Sequence, residues 1–230
     1  MAVVIDERFE GTGYEESGWT ENVPGGCTVD EDSSSSNAGS PAAWASQCLK
    51  IVKATNTTPY TYKQFGDAAV RYLRFEFYAT AWSIADGAVD QIAALVNNAV
   101  SANACNVYLY RSGSTYYVLV VPTYDGTNQD FSFLTTINLN TRYRVEIKWD
   151  HTNDLFEAKV NGTSIGSRSI TAGAIQAGSI LLGITGAVAG TWTVYFDLVT
   201  VDDADWVGSS DPSAALTGTA TASITEADIV

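Results

Sequence analysis

The sequence predicts an all-β fold, a two-sheet antiparallel β-sandwich followed by a short C-terminal tail or arm. Three observations lead there. Residues 142–149, RYRVEIKW, alternate strictly, with Tyr143, Val145, Ile147 and Trp149 on one side and Arg142, Arg144, Glu146 and Lys148 on the other. Period two over such a length marks a strand with one buried and one wet face. Comparable segments recur every ten to fifteen residues. No stretch carries a convincing amphipathic helical pattern, and the combination points to two packed antiparallel sheets.

In chain order, residues 3–10 (VVIDERFE) read as a first strand that leads through Gly11, Thr12 and Gly13 to Trp19. Pro24, Gly25 and Gly26 form a loop, and a short strand follows around residues 27–29. Residues 30–41 (DEDSSSSNAGSP) are too polar to bury themselves and are expected on the surface. Residues 48–54 (CLKIVKA) alternate again, and residues 60–65 predict a strand on which the sides taken by Tyr60 and Tyr62 stay open. In residues 71–80 (RYLRFEFYAT), Leu73, Phe75 and Phe77 share one face and Tyr72, Arg74, Glu76 and Tyr78 the other. Residues 82–90 read as a loop with a tight Asp86-Gly87 turn, and residues 91–97 (QIAALVN) as a buried strand.

Residues 105–111 and 115–121 flank Ser112, Gly113 and Ser114 and predict a hairpin. With Gly113-Ser114 as its two-residue turn, Arg111 faces Tyr116, Tyr110 faces Tyr117 and Tyr108 faces Leu119. A short edge-like strand at residues 131–134 precedes the segment at 142–149. That segment turns through DHTND, where Asp and Asn side chains accept their own backbone donors. It returns as residues 155–160 and ends on Asn161-Gly162, a dipeptide suited to a tight turn with positive φ. This hairpin is expected on the outside of a sheet, its charged side forming the solvated back of the sandwich. Residues 179–184 (SILLGI) and 191–201 (TWTVYFDLVTV) complete the domain, assigned to residues 1–206. Beyond it, residues 207–230 are small, polar and acidic. Within them, 208–214 reads as a linker and 216–230 as an arm or the start of a truncated β module.

The formal charge of −14 and the pI near 4.2 argue against nucleic-acid partners, which require a basic footprint. No apolar run reaches the ~18 residues of a membrane helix, so no membrane insertion is expected. The opening MAVVIDERFE lacks the features of a secretory signal, and the Thr-, Ser-, Gly- and Tyr-rich composition fits an extracellular protein or a virion surface. Cys27, Cys48 and Cys105 are better read as three separate buried residues than as a framework, although Cys27 and Cys48 could close a loop.

Trp149-Asp150, Val160-Asn161-Gly162, SILLG at 179–183 and YFDLVTV at 195–201 follow in an order that resembles the concanavalin A-like, laminin-G-like jelly-roll superfamily. Phe9-Glu10 followed by Gly18-Trp19 is similar to the start of many sandwich-type carbohydrate-binding modules. The residues 216–230, LTGTATASITEADIV, weakly resemble β-rich modules of phage structural proteins. The superfamily resemblance implies a convex and a concave sheet, glycan binding, and often a structural calcium. For that ion it implies Glu10 and Asp197 as ligands; apart from the resemblance, Asp6, Asp30, Asp32, Asp202 and Asp203 are further acidic candidates.

Catalysis is not expected. Jelly-roll glucanases carry ExDxxE-type carboxylate sets, whereas Glu76 and Glu157 stand alone on their strands. RFEFYAT and Gln91-Ile92 echo two motifs of jelly-roll alginate lyases, but Ala93 occupies the histidine position. His151, the sole histidine, reads as a turn residue. For ligand binding, Tyr108, Tyr110 and Tyr117 share one hairpin face opposite Val107, Leu109, Val118 and Val120. Their rings form either a stabilising cross-strand ladder or a platform for sugars, to which Trp82, Tyr124 and Asp125 could add. The expected function is a noncatalytic glycan-binding or adhesion module of a larger surface-exposed protein, with a phage virion as its setting. The alternatives are a structural virion or surface-layer subunit that meets neighbouring subunits, or copies of itself, through sandwich edges and the arm, and then a polysaccharide hydrolase or lyase.

Overall fold

The computed structural model describes residues 3–9, 18–33, 47–124, 127–128, 132–170, 175–186, 188–204 and 206, with backbone alone at 32, 33, 124, 127 and 128. The expected C-terminal arm lies outside these residues. Among the described residues, sixteen strands form two eight-stranded antiparallel sheets, and no helix is long and apolar enough to cross a membrane.

The first sheet runs β14 (Thr163–Ser169), β13 (Leu155–Val160), β12 (Arg142–Asp150), β6 (Val70–Ser83), β16 (Thr191–Asp202), β4 (Gln47–Lys53) and β3 (Thr28–Ser33). The long β16 also takes β1 (Val3–Glu7) along its second half. The second sheet runs β10 (Thr127–Asn128), β9 (Thr115–Tyr124), β8 (Asn103–Ser112), β7 (Val89–Val96), β15 (Ala177–Gly183), β5 (Tyr60–Ala68) and β2 (Thr20–Asn22), with β11 (Phe133–Ile137) also on β9.

Alternation places one apolar row from each strand between the sheets. Phe75, Phe77, Val145, Trp149 and Phe196 of the first sheet and Leu95, Val107, Leu109, Val118, Val120 and Ile180 of the second are all fully buried in one core. At roughly 1.5–3 kcal/mol per large apolar side chain, this layer dominates the stability. The turns follow the sequence expectation. Asn161 and Gly162 take φ of 51° and 77°, and Asp150 accepts hydrogen bonds from the Asn153 backbone and side-chain amide at 3.0 and 2.9 Å. Gly183, at φ 109°, is required by close approach as well. A Cβ there would lie 2.3 Å from the Pro59 carbonyl oxygen and 2.7 Å from Tyr60 Cα. Gly183→Ala is therefore expected to cost about 1–3 kcal/mol by overpacking, read as a lowered denaturation midpoint with an unchanged m-value.

Three expectations are corrected. The 142–160 hairpin is not on the outside of its sheet, because β12 is flanked by β6 and β13 and the edge belongs to β14. Residues 163–169, TSIGSRS, escape a pattern search because their outer face has no large apolar residue. A short polar edge of this kind discourages pairing with other chains.

The charged back of this hairpin is packed rather than solvated, with Glu146 only 4% exposed. Lys159, Glu146 and Arg74 lie side by side across three strands, as do Glu157, Lys148 and Tyr72. Opposite charges meet at 3.4–3.5 Å in Arg142–Glu76, Arg144–Glu146, Lys148–Asp150 and Lys148–Glu157, and each long side chain covers its neighbour. Burial pulls the Lys148 ammonium down, but Tyr72, Asp150 and Glu157 outweigh it and raise its pKa.

Trp82, finally, is not in a loop. Ala79 and Ala81 pair with the consecutive residues Val194 and Thr193, so Thr80 is an extra residue. That bulge reverses the alternation and turns Trp82 inward, where its ring lies 5.0 Å from that of Tyr116 in the opposite sheet.

Candidate functional site

The outward face of the second sheet can be built row by row from the strand registers. One row runs Thr136, Tyr117, Tyr110, Val89 from β11 to β7, and the next runs Leu134, Leu119, Tyr108, Gln91. A third crosses six strands as Val121, Asn106, Ala94, Leu181, Tyr62, Thr20. Tyr108, Tyr110 and Tyr117 thus share a face in the expected register, with Val107, Leu109, Val118 and Val120 buried behind them. The rings of Tyr110 and Tyr117 are 5.7 Å apart at an interplanar angle of 34°. This is a cross-strand ladder whose rings are half-buried.

Beside it lies a cleft of about 200 Å³ lined by Gln91, Asn103, Tyr108, Ile184, Thr185 and Val188, among others. Its polar groups are ordered by a short chain of hydrogen bonds. Gln91 Oε1 accepts from both the backbone amide and the hydroxyl of Thr185, each at 3.1 Å. Gln91 Nε2 donates to Asn106 Oδ1 at 2.7 Å, and the same oxygen accepts from Asn103 Nδ2 at 2.7 Å. Gln91 and Asn106 are 6% and 3% exposed, so the cleft floor is a fixed amide network rather than a set of mobile side chains.

The cleft wall after β15 is anchored from inside the sandwich. Lys53 of β4, fully buried, donates to the carbonyl oxygens of Val188 and Gly190 at 2.8 and 2.7 Å. Its ammonium lies 3.8 Å from the equally buried Asp90, the residue preceding Gln91. Burial pushes the Asp90 carboxyl from 3.8 up to about 6, against the opposing pull of Lys53, and burial likewise lowers the Lys53 pKa.

The two outer faces differ in charge. The described outward rows of the second sheet carry no Asp, Glu, Lys, Arg or His. The first sheet instead presents the paired lattice of Arg74, Glu76, Arg142, Arg144, Glu146 and Lys148. For a chain of net charge −14, the uncharged face is the exception.

Of the other expected site residues, Trp82 is between the sheets and does not join the tyrosine face. Asp125 and the side chain of Tyr124 lie outside the described residues, as does Glu10 of the expected calcium pair. Asp197, its partner, is buried at a bulge in β16 opposite Glu76, and its Oδ1 accepts the Leu198 amide at 2.7 Å. The described residues hold no cluster of three His, Cys, Asp or Glu able to take a metal ion. Arg74 and Glu76 of RFEFYAT face outward from the first sheet, so they do not converge with Gln91 of the second. His151 sits in the turn after β12. Cys27, Cys48 and Cys105 are thiols, and Cys27 and Cys48 do not close a disulfide loop.

Sequence reasoning missed Asn103, Asn106, Thr185, Lys53 and Tyr62. A signal existed for Lys53, which falls in phase with the apolar Leu49 and Ile51.

No family model matches the chain, and no curated protein sequence matches it. Solved structures do. The cellulose-induced protein Cip1 is 14% identical with a TM-score of 0.62, over 86% of this chain and 97% of that one. The conserved carbohydrate esterase of Shiga toxin-encoding bacteriophage phi24B is 12% identical with a TM-score of 0.61, over 87% of this chain and 97% of that one. A sialidase is 11% identical with a TM-score of 0.61 over 87% of this chain, which spans 18% of the sialidase. The likeness is one of fold, a β-sandwich found in proteins named both as enzymes and otherwise.

Proposed function

We propose that this chain is a noncatalytic glycan-binding module of a larger surface-exposed protein, and that the outward face of its second sheet is the binding surface. One observation carries the reading. The described rows of this face are uncharged and combine half-buried tyrosine rings with a cleft floored by fixed amides, on a protein that is otherwise strongly acidic. Tyrosine rings stack on the apolar faces of sugars, while ordered amides exchange hydrogen bonds with hydroxyls. The setting we propose, a virion or other extracellular surface, rests on composition.

An array of purified glycans tests the reading. The wild-type protein is expected to retain neutral glycans. Tyr110→Ala and Tyr117→Ala are each expected to weaken binding about tenfold, the 1.4 kcal/mol scale of an anchoring ring. No binding to any glycan, or binding untouched by both substitutions, would sink the proposal, and release of reducing ends from a bound polysaccharide would overturn the noncatalytic part.

A further inference from the structure

We infer that the second sheet carries a second ring platform, Tyr60 and Tyr62 on β5, and that the ligand is an uncharged polysaccharide chain long enough to lie across the strands from β9 to β5. The inference rests on the glycan-binding reading and assigns the substrate class of that face. Tyr62 stands in the row that passes from Asn106 through Ala94 and Leu181, and Tyr60 pairs with Gly183 in the adjoining row. The two rings lie 6.4 Å apart at 37° and pack on a floor of Ala94, Val96 and Leu181, each 1% exposed. Both tyrosines remain half-buried. This apolar cluster is separate from the main core and lies on the outside of the sheet.

Neighbouring strands are ~4.8 Å apart, so three steps from β8 and four from β9 put the two platforms at least roughly 14–19 Å from each other across the strands. A single sugar cannot touch both. A chain running across the strands can, and it passes over the Asn106–Gln91 network on the way. Charge decides which chain. A uronic or sialic carboxylate buried here would lose its hydration with no cation in the described rows of the face to replace it, and the net charge of −14 would repel it.

The experiment takes a neutral glycan retained on the array and titrates its oligosaccharides of increasing length into the wild-type protein by calorimetry, with Tyr110→Ala and Tyr62→Leu in parallel. Leucine keeps apolar contact with the floor while removing the ring, and matched melting temperatures establish that the variants are folded. The wild-type Kd is expected to tighten about tenfold or more once the chain reaches the second platform. Tyr62→Leu should abolish that gain and leave the shortest ligands within twofold, whereas Tyr110→Ala weakens all lengths. A length-independent wild-type Kd, a Tyr62→Leu profile identical to wild type, or equal affinity for the matching uronide would overturn the inference. So would a concentration-dependent dimer that Tyr62→Leu dissolves, which would assign the patch to a second copy of the chain. Failure of every glycan to bind the wild-type protein would instead remove the underlying reading.

Discussion

Lys53→Met is expected to destabilise the protein by about 3–5 kcal/mol at neutral pH, because it leaves the Asp90 carboxylate buried without its counter-charge. Neither Asp90 oxygen has a hydrogen-bond donor among the described residues, so Lys53, 3.8 Å away, is what makes the charged form tolerable. The double variant Lys53→Met/Asp90→Val should recover only part of the loss, since it removes the buried charge but leaves the Val188 and Gly190 carbonyls without their donor, and the cycle of single and double variants isolates the coupling. The pH dependence has a definite sign. Burial raises the folded pKa of Asp90 to about 6 from 3.8, so between those values the folded protein holds a proton that the unfolded chain has released. Stability from this group therefore falls as pH rises through that window, by roughly 3 kcal/mol, and is level above it. In Lys53→Met the fall should continue above pH 6, while in the double variant it should disappear. Denaturant midpoints of the three proteins across pH 4–8 check both statements.

Gln91→Leu is expected to reduce glycan affinity at least tenfold while costing only about 1–3 kcal/mol of stability. Gln91 is too buried to stack on a ligand, so it is a positioning residue. Its carbonyl holds both the amide and the hydroxyl of Thr185, and its amide orients Asn106. Without it the wall carrying Thr185 and the Asn106 amide that holds Asn103 lose their common partner. The readout that separates positioning from general loosening is selectivity. Gln91→Leu should flatten the discrimination between glycans on the array, whereas destabilisation from the core row of the first sheet, by Phe75→Leu, should leave the order of preferences unchanged.

The sandwich was legible because alternation is a local property. The Tyr108–Leu119 and Tyr110–Tyr117 pairs followed from one turn assignment, Gly113-Ser114, and the structure has that register. What the sequence did not expose depends on which strands become neighbours. Tyr62 belongs to the same outward face as Tyr108 only because β15 and β7 intervene between β5 and β8, an order that no segment of the chain encodes alone. Bulges hid other residues. The extra Thr80 reverses Trp82, and the register shift between Gln91 and Ala93 breaks the alternation beside the cleft. The burial of Glu146 arises from charges contributed by three strands at once. Lys53 was the most readable omission, since a lysine in phase with Leu49 and Ile51 calls for a buried partner.

The claim that the second sheet's outward face is the glycan surface is tested most directly by mapping backbone and tyrosine NMR shifts while an array-selected neutral oligosaccharide is added. Shifts are predicted at Tyr62, Gln91, Tyr108, Tyr110 and Tyr117, with the charged rows of β6 and β12 unchanged. Shifts centred on Arg74, Glu76, Arg144 and Glu146, or on the strand edges alone, would contradict it.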